Sequence, residues 1–351
     1  MMGKLKKLTG YRLFLPLSCL IIVLLINLIT TPTFFRITIN NGVLYGYIID
    51  VINRASELVV LAVGMTLVVS ASAGTDISVG AVMAVAAAVC TRVLAGGEVS
   101  VNEYANPYVL AVLAALAAAV VCGGFNGFLV AKLKIQPMVA TLILFTAGRG
   151  ISQLVTNGQI TYIRVDGYKL LGNNIPGIPI PTPIFVAVIV VVLTYILLKK
   201  TAMGMYIQSV GINERASRLV GVKSVKIIWM AYAFCGLCAG IAGLVASSRI
   251  YSADANNIGL NMELDAIAAV ALGGNSLGGG RFSLLGSVIG AYTIQALTTT
   301  LYAMSVPADQ IPVYKAIVVI LIVAVQSEEL KKFRKRLASR HSSKNVEGGV
   351  A

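Results

Sequence analysis

Apolar runs of about 20 residues recur along the chain, set apart by short polar or glycine-rich interruptions, and this is the period of helices that cross a bilayer. The pattern predicts spans over residues 13–29, 53–72, 79–94, 107–130, 138–155, 184–198, 227–246, 284–302 and 313–325, with a shorter apolar segment at 263–272. That short segment would rise only ~15 Å against a hydrocarbon core of ~30 Å, so it is read as re-entrant or as half of a broken helix. Regular alternation of apolar and polar residues, the mark of a membrane β-barrel, is missing. The expected fold is an all-α polytopic membrane protein of about ten transmembrane helices, in one permeating domain over residues 1–340 with a tail over 341–351.

Composition removes the soluble alternatives. The chain of 351 residues is 57% hydrophobic and 12% charged, with a mean hydropathy of +0.86. The net charge of +14 sits on the flanks of apolar runs, at Lys4 to Arg12, at Lys132 and Lys134, along 199–226, and at Lys331 to Arg340. Those clusters lack the interleaved aromatics of a base-stacking surface, which excludes nucleic acid and favours membrane lipid as the partner. By the positive-inside bias both termini are cytoplasmic, and nothing at the start resembles a cleavable signal peptide.

The longest polar interruption, KKTAMGMYIQSVGINERASRLVGVKSVK over 199–226, carries its own helix signal. Asn213 is a candidate N-cap, Glu214 follows where the helix dipole favours an acid, and small Ala216 sits on a short amphipathic face. A helix displayed on the cytoplasmic side suits docking to a soluble partner; a solvated connection between two spans fits the same residues equally well.

Two further interruptions concern the membrane interior. AGTDISVG follows one apolar run in the first half, and ELDAIAAVALGGNSLGGG spans a break in the second. A glycine-broken helix in each half, entered from opposite sides, predicts an inverted internal repeat around a central pathway. Asp76, Ser78, Asn126, Arg149, Asp265 and Asn275 are the candidate pathway residues, because polar and ionisable groups in apolar segments face a cavity or a partner. Asp76 and Asp265 equally fit a local role at helix starts, and the others fit polar ties between helices. GGNSLGGG lacks the Gly-Lys-Ser/Thr ending of a phosphate loop, and that ending occurs nowhere in the chain. The pair Cys235 and Cys238 lies in the small-residue segment CGLCAGIAG, where Gly236 and Gly240 make a GxxxG face, so packing is preferred to redox or metal chemistry. The single histidine, His341, stands in the basic tail, away from any catalytic or metal set.

Four long motifs in fixed order carry a resemblance: GMTLVVSASAGTDISVG, GGFNGFLVAKLKIQPMVATLIL, VGINERASRLVGV and ELDAIAAVALGGNSLGGGRFSLLGSVIGA. Over residues 50–326 the chain resembles the permease subunits of bacterial sugar ABC importers of the ribose/galactoside branch. Through GVLYGYIIDVINRA, AGRGISQLVTNGQI and ADANNIGL it is similar to the galactofuranose permeases within that branch. Thr75 stands where the family usually has Ile, and Ser72 and Ala73 replace part of a glycine-rich turn. The resemblance implies a non-catalytic subunit of the cytoplasmic (inner) membrane, with Gly211, Asn213, Arg215 and Ala216 in a helix that docks on a separate cytoplasmic ABC ATPase. It further implies a second permease, alike or different, and an extracytoplasmic sugar-binding protein. ATP and Mg would be bound by the ATPase, with no cofactor in this chain. Concentrating a sugar a thousandfold costs about 4 kcal/mol, which such a partner would supply.

Two other classes fit less well. An ion-coupled secondary transporter would also break its helices and could carry protons on Asp76 or Asp265, but has no need of the long cytoplasmic loop. An intramembrane enzyme would need a nucleophile–base or metal set that the apolar segments do not offer.

Overall fold

The computed structural model describes residues 13–40 and 42–326, which form a bundle of helices threaded by very short strands. The basic termini, with the expectation that both are cytoplasmic and the tail over 341–351, lie outside the described residues. In chain order the helices are α1 (Phe14–Thr30), α2 (Tyr47–Ser72), α3 (Val79–Ala95), α4 (Tyr108–Ala131), α5 (Pro137–Val155) and α6 (Thr182–Lys200). They continue as α7 (Met203–Ile212), α8 (Glu214–Leu219), α9 (Ser224–Ile250), α10 (Met262–Leu272), α11 (Leu284–Ala303) and α12 (Ile311–Gln326). Six of these, α2, α4, α5, α6, α9 and α11, are long and apolar enough to cross a membrane; α1, α3 and α12 are shorter apolar helices. The count of ten therefore includes pieces that are not full spans by length, and the 11-residue α10 is the shortest of them.

The fold is helical as expected, and a few very short strands join its connections. An antiparallel pair joins β1 (Thr38–Asn40) to β2 (Val43–Tyr45). A three-stranded patch orders β3 (Ser100–Val101), β4 (Thr161–Ile163) and β5 (Ser252–Ala253), parallel then antiparallel. These strands satisfy backbone groups of connections at one end of the bundle, here the strand end. The glycine- and proline-rich segment over 156–183 supplies β4 and a 3-10 turn, Tyr168–Leu171, as such a capping role requires. The opposite end carries α7 and α8 and is called the loop end.

Packing centres on α2 and α9, the two longest helices. They run antiparallel: Ser72 Oγ lies 3.3 Å from Tyr232 Oη at the loop end, while Arg249 reaches Asn53 and Glu57 at the strand end. Midway, a Cβ on Gly64 would lie 3.0 Å from both Cys235 Cα and Cys238 Cβ. On its other side α9 closes on α4, where a Cβ on Gly236 would stand 2.4 Å from the Ala119 carbonyl and 2.9 Å from Gly123 Cα. The GxxxG face read from the sequence is thus a backbone-to-backbone contact, and Cys235 and Cys238 are free thiols buried behind it. Polar side chains tie the remaining helices: Thr66 to Ser287 at 2.6 Å between α2 and α11, and Asn27 to Thr300 at 2.7 Å between α1 and α11.

The interruptions produce the broken helices. After α2 ends at Ser72, Ala73 turns in the left-handed region at φ 52°, and the chain climbs back until the Asp76 amide lies 3.5 Å from Met65 Sδ, a full two turns up α2. From there α3 starts inside the bundle and runs to the strand end. In the second half the chain re-enters after β5, and α10 begins beside the start of α3 and runs the other way. Two half-helices of opposite direction, one per half, meet at their N-termini, which is the inverted arrangement expected from the two glycine-rich breaks.

Candidate functional site

The sequence candidates fall into five places. Asp76, Ser78 and Asn126 come together at the start of α3. Asp76 Oδ1 accepts from the Ser78 amide at 2.9 Å and the Ser78 hydroxyl at 2.7 Å, and Asn126 Nδ2 donates to Ser78 Oγ at 2.8 Å. All three are buried, and the Asn126 Oδ1 and Thr75 Oγ1 beside them have no hydrogen-bond partner. A cluster that satisfies itself this far and leaves two buried acceptors open can take further hydrogen bonds without changing charge.

Arg149, on α5, lies elsewhere. Its Nη1 donates to the carbonyls of Ala255 and Ile258 at 2.9 and 2.5 Å, fastening the re-entrant segment to α5, and Gln153 adds a bond to Asn256 at 2.6 Å. Its Nη2 is buried without a partner. Asn275 closes the turn between α10 and α11. Its Oδ1 accepts from the Ser283 amide at 2.6 Å, and its Nδ2 donates to Ser287 Oγ at 2.7 Å. That geometry is a tie between helices.

Asp265 faces a polar cavity of about 520 Å³ at the strand end, lined among others by Arg54, Glu57, Arg249, Asp254, Asp265 and Tyr302. Lys315 of α12 donates to both Asp265 oxygens, at 2.9 and 2.7 Å. Across the cavity Arg249 pairs with Glu57 at 3.1 Å. Two of its acids, Glu57 and Asp265, are thus ion-paired, Asp254 accepts from Asn256 and Asn257, and Arg54 adds a further cation, so the walls offer both donors and acceptors to a polar ligand. Sequence reasoning missed Glu57, Arg249, Glu263 and Lys315. Glu57 and Lys315 are charges inside apolar runs, and Glu263 and Arg249 stand at or just beyond the ends of such runs, so asking the same question of every charge in or beside a run would have found them. Glu263, buried in the first turn of α10, leaves Oε2 without a partner.

The loop end carries the fifth place. Asn213 caps α8, its Oδ1 accepting from the Ala216 amide at 2.9 Å. Lys134, in the connection between α4 and α5, reaches Glu214 at 2.5 Å, and Arg218 pairs with the same carboxylate. Burial pushes the Glu214 carboxyl up, but the bonds from Lys134 and Arg218 outweigh it and hold it below its ordinary value. Outward, α8 and its flanks expose Ile212, Arg215, Ala216, Leu219 and Val220, with Leu219 90% accessible. Gly211 differs from its neighbours. It packs inward on the end of α2, where a Cβ would lie 1.7 Å from the Ser70 carbonyl oxygen. Gly211 thus seats the segment against the bundle, while Arg215 and Ala216 face out.

The chain matches, over residues 47–326, the family described as the branched-chain amino acid transport system / permease component. It belongs to that family. The permease is 44% identical over 324 residues, 92% of each chain, to the galactofuranose transporter permease protein YtfT of Escherichia coli K12. It is 37% identical to the fructose import permease protein FruF of Bifidobacterium longum, over 99% of this chain and 96% of the relative. It is 35% identical to the ribose import permease protein RbsC of Escherichia coli K12, over 89% and 93%. No solved structure matches it. The sequence-level resemblance to sugar permeases is thereby borne out at the level of family and relatives.

Proposed function

We propose that this chain is the membrane-spanning subunit of an ATP-driven importer of a monosaccharide, with galactofuranose or a closely related sugar as cargo. The observation that carries the reading is the 44% identity to YtfT across 92% of both chains, over the same residues that form the broken helices and α8. The protruding, apolar-tipped α8 supports a cytoplasmic ABC ATPase as the partner that binds ATP and Mg. A second permease and an extracytoplasmic sugar-binding protein complete the assembly, in the inner membrane with the loop end cytoplasmic.

In this reading the binding protein delivers sugar at the strand end, into the cavity flanked by Asp265. The path continues past the meeting point of α3 and α10 toward Asp76, Ser78 and Asn126, with Arg149 and Asn275 holding the segments that frame it. ATP binding moves α8, and through Gly211 and the Lys134–Glu214–Arg218 contacts that motion reaches the ends of α2, α4 and α5. No proton or redox chemistry is required of this subunit.

The test is co-reconstitution with a cytoplasmic ABC ATPase and an extracytoplasmic sugar-binding protein from the same organism. ATP-dependent uptake that vanadate blocks and a protonophore leaves intact is expected. Uptake that a protonophore abolishes and vanadate does not would assign an ion-coupled transporter instead.

A further inference from the structure

We propose that the loop end of the permease holds an anionic phospholipid in a groove between α4 and α9. Lys132 caps the end of α4, Lys223 precedes the start of α9, and Lys226 lies on its first turn. The three converge on a cavity of about 360 Å³ whose walls include Phe128, Val225 and Trp229. None of the three lysines joins an ion pair among the described residues, and Glu214, the acid near this end, is taken by Lys134 and Arg218. The cationic rim is therefore uncompensated.

Below the rim the walls are carbon. Phe128 and Trp229 are 41% and 43% exposed at the same level as the helix ends, where aromatic rings mark the boundary between headgroups and hydrocarbon. Lys132 Nζ sits 5.6 Å from the Phe128 ring centre, its stem along the aromatic face and its head free to reach outward. Two glycines open the groove. The indole of Trp229 lies against Gly124, where a Cβ would be 3.4 Å from Cζ2, and Gly127 lets the α9 backbone approach, since a Cβ there would be 2.9 Å from the Trp229 carbonyl. The N-terminus of the 27-residue α9 adds the positive end of its dipole. A phosphate diester with acyl tails matches this order of charge, ring and hydrocarbon; a free phosphate would use only the rim, and a second protein chain would need acids to meet it.

Trp229 is the single tryptophan of the chain, so its fluorescence reports the site directly. Full-length permease is placed in phosphatidylcholine vesicles doped with either dibrominated phosphatidylglycerol or dibrominated phosphatidylcholine of the same acyl length. Half-maximal quenching is expected at a mole fraction roughly tenfold lower for the glycerol lipid, with high salt erasing the difference. The K132Q/K223Q/K226Q variant should quench equally with both, while K132R/K223R/K226R keeps the preference and K199Q/K200Q leaves it unchanged. Equal quenching of the wild-type chain by the two lipids overturns the proposal. So does the absence of quenching, which would mean that another chain covers Trp229, and so does relief of quenching by millimolar glycerol 3-phosphate, which would mean a soluble phosphate site.

Discussion

Gly80 and Gly259 meet backbone to backbone inside the bundle: a Cβ on Gly80 would lie 2.2 Å from the Gly259 carbonyl oxygen, and one on Gly259 would lie 2.5 Å from that of Gly80. This contact is where the half-helices α3 and α10 face each other, one from each half of the chain. Gly259 also adopts φ +70°, which a side chain resists.

G80A and G259A should each lower the thermal unfolding temperature of the detergent-solubilised permease by several degrees, G259A through strain and contact together. Uptake should fall with it. G150A is the control, because nothing lies within 4 Å of a Cβ at Gly150. Differential scanning fluorimetry of the three variants decides the matter; equal stability of all three would mean that the junction is loose.

The ion pair between Asp265 and Lys315 sets a second expectation. D265N leaves the Lys315 ammonium partly buried without its partner, a loss of about 1–3 kcal/mol after allowing for the partial exposure of both groups. Uptake should drop by about tenfold or more. D76N should be milder, since an asparagine Oδ1 still accepts from the Ser78 amide and hydroxyl. The double variant D265N/K315M removes both charges and should recover membrane abundance. Recovery of abundance without uptake gives Asp265 a part in the pathway; recovery of both makes the pair structural.

Cys235 and Cys238 pack against Gly64 and are buried. C235A/C238A should transport sugar at near wild-type rate and lose no more than ~1–2 kcal/mol, the cost of two small cavities. Abolished uptake at normal membrane level would instead show that a thiol acts in transport.

How far the sequence reveals these features depends on the range of the interaction. The Asn213 cap and the small face at Ala216 are local, and both were legible. The helical class was legible because lipid forces every backbone group to be satisfied within its own segment. The short strands were not, since two or three residues hold no period, and β3, β4 and β5 are joined only by tertiary structure. The Glu57–Arg249 pair joins residues far apart in sequence on antiparallel helices, so neither partner announces the other. Gly211 reads like its motif neighbours, yet it points inward because α7 happens to cross the end of α2.

The Lys134–Glu214–Arg218 contacts give a pH signature. Because the folded carboxyl is held low, its contribution is fully present above the ordinary glutamate value of about 4.3 and is lost as pH falls through the lower folded value. A spin label at residue 216 should remain immobile from neutral pH to below about 4.3 and loosen only beneath that. With E214Q it should be mobile at every pH.

Uncoupling should follow from the outward face of α8 and not from Gly211. R215E and L219D alter exposed side chains and leave the Asn213 cap and the Glu214 contacts in place, so the permease should insert, fold and retain its stability. In the assembled complex, sugar-stimulated ATP hydrolysis should fall by about tenfold, the effect of losing one central contact of ~1.4 kcal/mol or more at a docking surface. G211E behaves differently, because any side chain there strikes the Ser70 carbonyl and displaces α7 from the end of α2. It should lower membrane abundance before it affects coupling. The measurement is ATPase activity beside pull-down and unfolding temperature for all three variants. Full stimulated hydrolysis by R215E/L219D would place the docking surface elsewhere on the loop end, and normal abundance of G211E would show that α7 leaves α2 without cost.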